Sequence, residues 1–165
     1  MTHKERVGLA LLLLVVLLPI EIAGCAASYE TLGEADSFML ICVCLLLNTF
    51  GFILCLARFW PSAVSMITFG LLFTGYQTFL VARMHIVATE AANIVGWAYS
   101  QKLKTGSYPE DLADYNFLDP DCVKFVDYVK FIDQNDEQFS VTYYVGTRST
   151  RHWYNQQNGW SYYPD

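Results

Sequence analysis

Three long stretches almost free of charge dominate the first half of this chain. The 23 residues between Arg6 and Glu30 include one charge, Glu21, and the next two stretches hold 21 and 24 residues without any. About 20 apolar residues are enough for a helix to cross a bilayer. Backbone amides find no partner in hydrocarbon, so each stretch must be helical. The sequence therefore predicts a membrane region, 1–84, with transmembrane helices at about 7–27, 37–57 and 60–83.

Charge separates this region from the rest of the chain. Residues 1–84 carry four basic and five acidic side chains, whereas residues 85–165 carry six basic and eleven acidic ones. The second part is therefore an acidic, water-facing domain of 85–165, too poor in bases to bind nucleic acid by neutralising phosphates. These patterns exclude an ordinary soluble globule and a disordered protein.

The basic residues predict the orientation. Lys4 and Arg6 precede the first helix and Arg58 lies between the second and third, whereas the connection 28–37 is acidic. The positive-inside rule then places the N-terminus in the cytoplasm and residues 85–165 outside. Arg83 falls on the outer side, where an arginine side chain reaches the interface.

Glu21 is the one charge within the first span. A carboxylate near the bilayer centre costs about 2–3 kcal/mol, which the surrounding aliphatic residues offset. A pairing or proton-linked site in a helix bundle is one interpretation. The favoured one is a protonated or interface-reaching side chain, since no basic residue lies at matching depth in the other spans.

The end of the first span offers a second interpretation. Ile22-Ala23-Gly24-Cys25 resembles the lipobox of bacterial lipoproteins, in which the cysteine is lipidated and becomes the new N-terminus. Pro19 and Glu21 depart from the apolar core of such a signal, and two further spans follow it. The other cysteines are expected to act as small apolar residues or, for Cys122, as an unpaired thiol.

The second half predicts a long helix packed on a small sheet. Val87, Ala91, Ile94, Val95 and Ala98 recur at helical spacing, while Thr89, Glu90 and Asn93 fall outside that stripe, so one helix is expected from about 61 to 104. A connector with a short helix at 110–115 should follow. Alternating or aromatic segments at 125–132, 139–145, 151–154 and 160–163 predict three or four antiparallel strands, with turns at 133–136 and 156–159.

This arrangement resembles the headpiece of type IV pilins and type II secretion pseudopilins. The helix ends in Gly106-Ser107-Tyr108-Pro109-Glu110-Asp111-Leu112, similar to the Gly-x-Tyr-Pro-x-x-Leu turn of that family, and the resemblance covers about 61–165. It implies a pilin-like α+β head in the bacterial envelope, at the inner membrane with the head in the periplasm. The family's processing signal has a glutamate five residues into the mature chain. Gly51-Phe52 is the only candidate cleavage site here, and Leu56 takes the glutamate's place, so we do not expect the chain to be processed like a pilin or to polymerise into a filament.

No catalytic constellation, phosphate loop or dinucleotide motif is visible, so the expected protein is a non-enzyme without a cofactor. The acidic residues Asp133, Asp136 and Glu137 are weak calcium candidates, because their spacing is not that of a calcium loop. Tyrosine and tryptophan favour interfaces. Rings near the C-terminus therefore suggest a contact surface for a protein partner, although about half of them could be core. The candidates are Trp153, Tyr154, Trp160, Tyr162 and Tyr163.

Overall fold

The protein is described by a computed structural model that covers residues 2–58, 60–133, 136–148 and 150–164, without the side chains of 61–63, 65, 66, 69, 163 and 164. The chain divides into two compact units, Met1–Val81 and Ala82–Asp165, and the division falls within one long helix. Each unit is described in turn below.

The first unit is helical. α1 (His3–Ala27) begins with a capping box between Thr2 and Glu5, and a short helix, α2 (Tyr29–Leu32), follows it. Gly33 turns the chain with a positive φ of 103°, a conformation that favours glycine. α3 (Glu34–Leu56) then runs back, and α4 (Trp60–Thr105) begins four residues after the last residue of α3.

Two of the three predicted spans meet the requirements of a membrane-crossing helix. Among the described residues, His3–Leu32 and Glu34–Leu56 are long and apolar enough, by length and composition, and a third such helix is not found. The predicted third span, at about 60–83, is the first part of α4. Several side chains of that part lie outside the described residues.

Small and polar residues occupy the interior of the helical unit. Ser37, Cys44 and Gly51 are buried at intervals of seven along α3, the repeat of a helix that packs along one seam. The buried positions of α1 are Ala10, Leu17, Glu21 and Cys25. Small residues let helices approach closely, as helices in a lipid environment often do.

The second unit begins with the upper part of α4. Its buried residues Met84, Val87, Ala91, Ile94 and Ala98 are spaced by three and four. This spacing forms one apolar face and confirms the stripe expected from the sequence, and the predicted helix boundaries of 61 and 104 agree with Trp60–Thr105.

Four antiparallel strands form a meander in the order β1-β2-β3-β4. They are β1 (Val126–Asp133), β2 (Asp136–Tyr143), β3 (Thr150–Asn155) and β4 (Gly159–Pro164), which confirms the small antiparallel sheet. The β3–β4 turn ends at Gly159, whose φ is +69°. Within the turn, Asn155 Oδ1 accepts a hydrogen bond from the backbone amide of Asn158. Residues 134 and 135 of the predicted β1–β2 turn lie outside the described residues.

Strand register assigns the two faces of the sheet. Val141 lies opposite Tyr128 on β1 and Tyr154 on β3, so these three side chains share one face with Phe139. We call this the core face, because Phe139 and Val141 are fully buried. The opposite face, which we call the open face, carries Val129, Phe131, Ser140, Thr142, Arg151 and Trp153.

Aromatic rings pack around Phe139 on the core face. Its centroid lies 5.5 Å from that of Tyr99 on α4, 4.8 Å from Tyr108, 5.6 Å from Tyr128 and 5.8 Å from Tyr154. These separations fall within the range of favourable aromatic pairs. Burial raises the pKa of the Tyr128 phenol above its ordinary value, with a further contribution from the nearby carboxylate of Glu110. Phe139 is therefore the centre of the core of this unit.

The predicted short helix at 110–115 is wrong. Residues 106–119 form turns and extended segments, and the short helix found is a 3-10 helix at Pro120–Lys124. Backbone groups of the connector form hydrogen bonds with side chains instead of the regular backbone hydrogen bonds of a helix. Asp111 Oδ1, for example, accepts from the amide of Ala113 at 2.9 Å, which is a turn motif.

Candidate functional site

A buried carboxylate lies between the first two long helices. Glu21 of α1 is 2% exposed, and its Oε2 accepts a hydrogen bond from Nδ2, the side-chain amide nitrogen of Asn48 on α3. The same nitrogen donates to the carbonyl of Cys44 at 2.8 Å, which fixes the orientation of the amide group. The structure therefore places the Glu21 side chain inside the bundle next to a polar partner, and its role stays a prediction.

α4 leaves space for this carboxylate. A Cβ at Gly70 would collide with Glu21 Oε1, so a larger residue there would force the end of the Glu21 side chain to move. One turn away, a Cβ at Gly24 would approach Thr74 Cγ2 to 3.0 Å. Glycine thus permits close helix approach at both levels.

A small cavity adjoins Glu21 and Asn48. Its volume is about 20 Å³, and apolar side chains including Leu17 and Phe52 line the rest of it. This is room for about one water molecule, which needs polar partners of the kind that the carboxylate and the amide supply. The arrangement can hold a proton or a water molecule within an otherwise apolar bundle.

Two cysteines meet one turn from the carboxylate. Cys25 of α1 and Cys44 of α3 are both buried, and their Sγ atoms are 3.8 Å apart. Ser28 and Ser37 follow at the next level, with hydroxyl oxygens 3.1 Å apart. The interior of the α1–α3 pair is therefore a ladder of polar contacts: carboxylate with amide, thiol with thiol, hydroxyl with hydroxyl.

Cys25 is the residue of the predicted lipobox. The structure places it within continuous α1, two residues before the helix ends, with its thiol against Cys44. Lipidation at Cys25 stays a prediction. Sequence reasoning missed the thiol pair because Cys25 and Cys44 are nineteen residues apart and only the α1–α3 packing brings them together.

In the second unit, Glu90 is a buried carboxylate that the helical stripe had placed on the polar side. It is 2% exposed, and its Oε1 accepts from the hydroxyl of Tyr115 at 2.8 Å and from the amide of Leu118 at 3.1 Å. Burial, followed by the bond to Glu90, raises the pKa of Tyr115 above its ordinary value. Glu90 therefore joins the far end of the connector to α4, a structural role that the spacing of residues in the sequence does not indicate.

Glu137 performs the same task at the near end of the connector. It accepts from the Ser107 hydroxyl at 2.9 Å and the Tyr108 amide at 3.2 Å, and its carboxylate lies 3.1 Å from Lys130 Nζ. The bond from Ser107, then that from Lys130, holds the pKa of Glu137 below its usual range. Lys130 also pairs with Glu110 at 2.6 Å, and that bond raises the pKa of Lys130.

The calcium candidates are divided between the two faces of the sheet. Asp133 and Asp136 are cross-strand partners and share a face, whereas Glu137 is the next residue along β2 and points to the other. Among the described residues, no group of three His, Cys, Asp or Glu side chains is placed to hold a metal ion.

The candidate contact residues are divided in the same way. Tyr154, Trp160 and Tyr162 lie on the core face by strand pairing, and the Tyr154 and Trp160 rings are 5.3 Å apart. Trp153 is on the open face, where it borders a shallow depression with Ser140, Thr142 and Arg151. The side chain of Tyr163 lies outside the described residues. Although Trp160 lies on the core face, its side chain is exposed.

Comparison of the chain with protein-family models, with curated proteins and with solved structures finds no match.

Proposed function

We propose that this protein is a non-enzymatic, membrane-anchored envelope protein whose second unit contacts or helps to assemble a protein partner. The observation that carries the proposal is the distribution of polarity in the first unit. Its interior holds Glu21, Ser28, Thr31, Ser37 and Gln77, whereas its exposed side chains are largely leucine, valine, isoleucine and phenylalanine. In water this arrangement would place apolar surface outside at a large cost in free energy, while in lipid it is favourable.

Hydroxyl groups on the same helices are compatible with a lipid setting, although exposed Thr89 and Ser100 of the second unit make the same kind of bond. Thr49, Thr68 and Thr78 are exposed, yet each donates to the carbonyl four residues earlier at 2.8–2.9 Å. Such back-bonding satisfies a hydroxyl that has no water nearby. We propose three crossings, with the first part of α4 as the third.

The proposed location is the bacterial inner membrane, with the N-terminus in the cytoplasm and a periplasmic, pilin-like head. The basic residues before α1 and between α3 and α4 favour this orientation. The lipoprotein alternative removes α1 at Cys25. It would also remove Glu21 from the bundle and leave Asn48 without its carboxylate partner, so we favour the uncleaved chain.

The open face is the proposed contact surface of the head. Val129 and Phe131 of β1 are exposed on this face, which they share with Trp153 of β3 across β2, and Arg151 adds a positive charge to an acidic domain. Aromatic residues and arginine supply much of the binding energy at protein interfaces. Of the five rings proposed from the sequence, Trp153 best fits this surface and Trp160 is the next candidate.

Two fusions test the anchor and its orientation. Alkaline phosphatase is active only outside the cytoplasm and green fluorescent protein fluoresces mainly inside it, so we expect activity from the first when each is fused after residue 165. Carbonate washing should leave the full chain in the membrane. A fluorescent fusion without phosphatase activity, or release of the chain by carbonate, would refute the proposed topology.

A photocrosslinking amino acid tests the contact surface. We expect a crosslinked partner when it replaces Phe131 or Trp153 on the open face of the chain in intact cells. The matched control replaces Leu118, which is exposed on the connector. Equal crosslinking from all three positions, or from the control alone, would argue against a contact surface on the open face.

A second candidate function is favoured by the Glu21–Asn48 bond: the helices form part of a membrane complex in which Glu21 is a working carboxylate. Glu21→Gln preserves the shape and removes the proton site, while Glu30→Gln changes an exposed glutamate in α2. If Glu21 works, the first variant should accumulate normally and fail to rescue a strain lacking the chain, and the second should rescue it. Rescue by both variants would show that the Glu21 carboxylate is not needed, and membrane anchoring would remain as the function of the helices.

A further inference from the structure

The contact between Cys25 and Cys44 carries an inference that neither the anchor nor the head requires. The two thiols come from different helices, are both buried and have Sγ atoms 3.8 Å apart. A disulfide needs about 2.05 Å between sulfur atoms, so the gap to be closed is below 2 Å. A change of side-chain rotamer and a small shift of one helix can supply a movement of this size.

We propose that Cys25 and Cys44 form a reversible disulfide that joins α1 to α3. The electrons pass to an external disulfide. One cysteine attacks it to form a mixed disulfide and releases the first thiol; the other cysteine then attacks the mixed disulfide and releases the second thiol. One Sγ–Sγ bond forms in the protein, one S–S bond breaks in the oxidant, and the two protons leave with the released thiols.

The position of the pair gives the bond a structural consequence. Cys25 lies one turn from Glu21 on α1, and Cys44 lies one turn from Asn48 on α3, whose amide also bonds the Cys44 carbonyl. A covalent link at this level holds the two helices in register next to the carboxylate–amide pair. Oxidation therefore fixes the Glu21 site in the paired state, and reduction permits α1 to separate from α3.

The other cysteines lack this geometry. Cys55 packs in the cluster around Ala10, and Cys122 lies in the second unit. Cys42 is half-buried on α3, two residues before Cys44 and hence on another side of the helix. Lipidation of Cys25 and this disulfide exclude each other, because both consume the same sulfur. The experiment below separates the two.

Counting thiols on the full chain in detergent tests the proposal. The purified protein is oxidised in air with a copper–phenanthroline catalyst, which leaves no mixed-disulfide adduct on a lone thiol, then denatured and treated with a polyethylene-glycol maleimide that adds a visible mass per free thiol. We expect the wild type to fall from five additions to three, since it has five cysteines and the bond consumes two. Peptide mass spectrometry should then recover Cys25 linked to Cys44, and reduction should restore five additions.

Matched variants assign the bond. Cys25→Ser and Cys44→Ser should each show four additions before and after oxidation, whereas Cys42→Ser should fall from four to two. Five additions in the oxidised wild type, or a linked peptide that contains Cys42 or Cys122, would overturn the proposal. A wild-type chain that starts with four additions and carries a lipid mass at Cys25 would overturn it in favour of processing. The outcomes that would overturn the proposal are all read on the wild-type chain, so misfolding of a serine variant does not obscure the result.

Discussion

Phe139 provides the most direct test of the second unit. It is fully buried on the core face, and four tyrosine rings lie within 6 Å of its centroid. Replacing phenylalanine by alanine in a core costs about 3–5 kcal/mol, through lost transfer free energy and the cavity that remains. Because edge-to-face pairs add about 0.5–1.5 kcal/mol beyond burial, Phe139→Ala should fall at the upper end, about 4–5 kcal/mol.

Phe131 is the matched control, because it lies on the adjacent strand and faces the other way. It is 38% exposed on the open face, so Phe131→Ala should cost about 1–2 kcal/mol, well below the loss at Phe139. The comparison uses the same substitution in the same sheet. The strand register places the two positions on opposite faces, since a shift of one residue exchanges the faces. Phe131 also lies on the edge strand β1, whereas Phe139 lies on the inner strand β2.

Urea unfolding of the full chain in detergent measures both variants. Trp97, Trp153 and Trp160 are three of the chain's four tryptophans, so fluorescence reports chiefly on the second unit. With a slope of about 1.5 kcal/mol/M, a loss of 4–5 kcal/mol moves the midpoint by about 3 M. A small domain has about 5–10 kcal/mol in total, so Phe139→Leu, at about 1–2 kcal/mol, serves if the alanine variant is unfolded without urea. Equal midpoints for Phe139→Ala and Phe131→Ala would refute the assigned register.

Three further outcomes are expected, two in urea unfolding and one in the amount of folded chain in membranes. Glu90→Ala should cost about 3–5 kcal/mol in urea unfolding, because it leaves the Tyr115 hydroxyl and the Leu118 backbone amide without their acceptor. Glu90→Gln keeps an acceptor oxygen and should cost about 1–2 kcal/mol. Similar losses for both variants would show that these hydrogen bonds are unimportant. The pKa of Glu137 is lowered from its ordinary 4.5, so its stabilisation is present above pH 4.5 and is lost as the pH falls through the folded-state pKa; Glu137→Gln should flatten the acid side of the midpoint–pH curve, and an unchanged curve would exclude this source. Gly70→Ala should lower the amount of folded chain in membranes, because the added Cβ meets the Glu21 carboxylate. The control Gly75→Ala should not, because a Cβ there has no neighbouring atom within 4 Å. Equal levels of the two variants would contradict this packing.

Periodicity in the sequence was sufficient to predict most secondary structure. The apolar stripe of α4 and the alternation around Phe139 repeat at the intervals of a helix and a strand, and such patterns depend on neighbours along the chain. The connector at 106–119 has no such repeat. Its conformation is set by bonds to Glu90 and Glu137, which are far away in sequence, so the short helix predicted there was wrong.

The sequence by itself determined which segments are apolar, where the chain changes to an acidic domain, and which residues alternate between the faces of a strand. Tertiary structure alone decided which polar groups meet. The Glu21–Asn48 bond, the Cys25–Cys44 contact and the Glu90–Tyr115 bond join residues that are 27, 19 and 25 positions apart. Local patterns cannot encode such pairs, because their geometry depends on how whole helices and loops pack together.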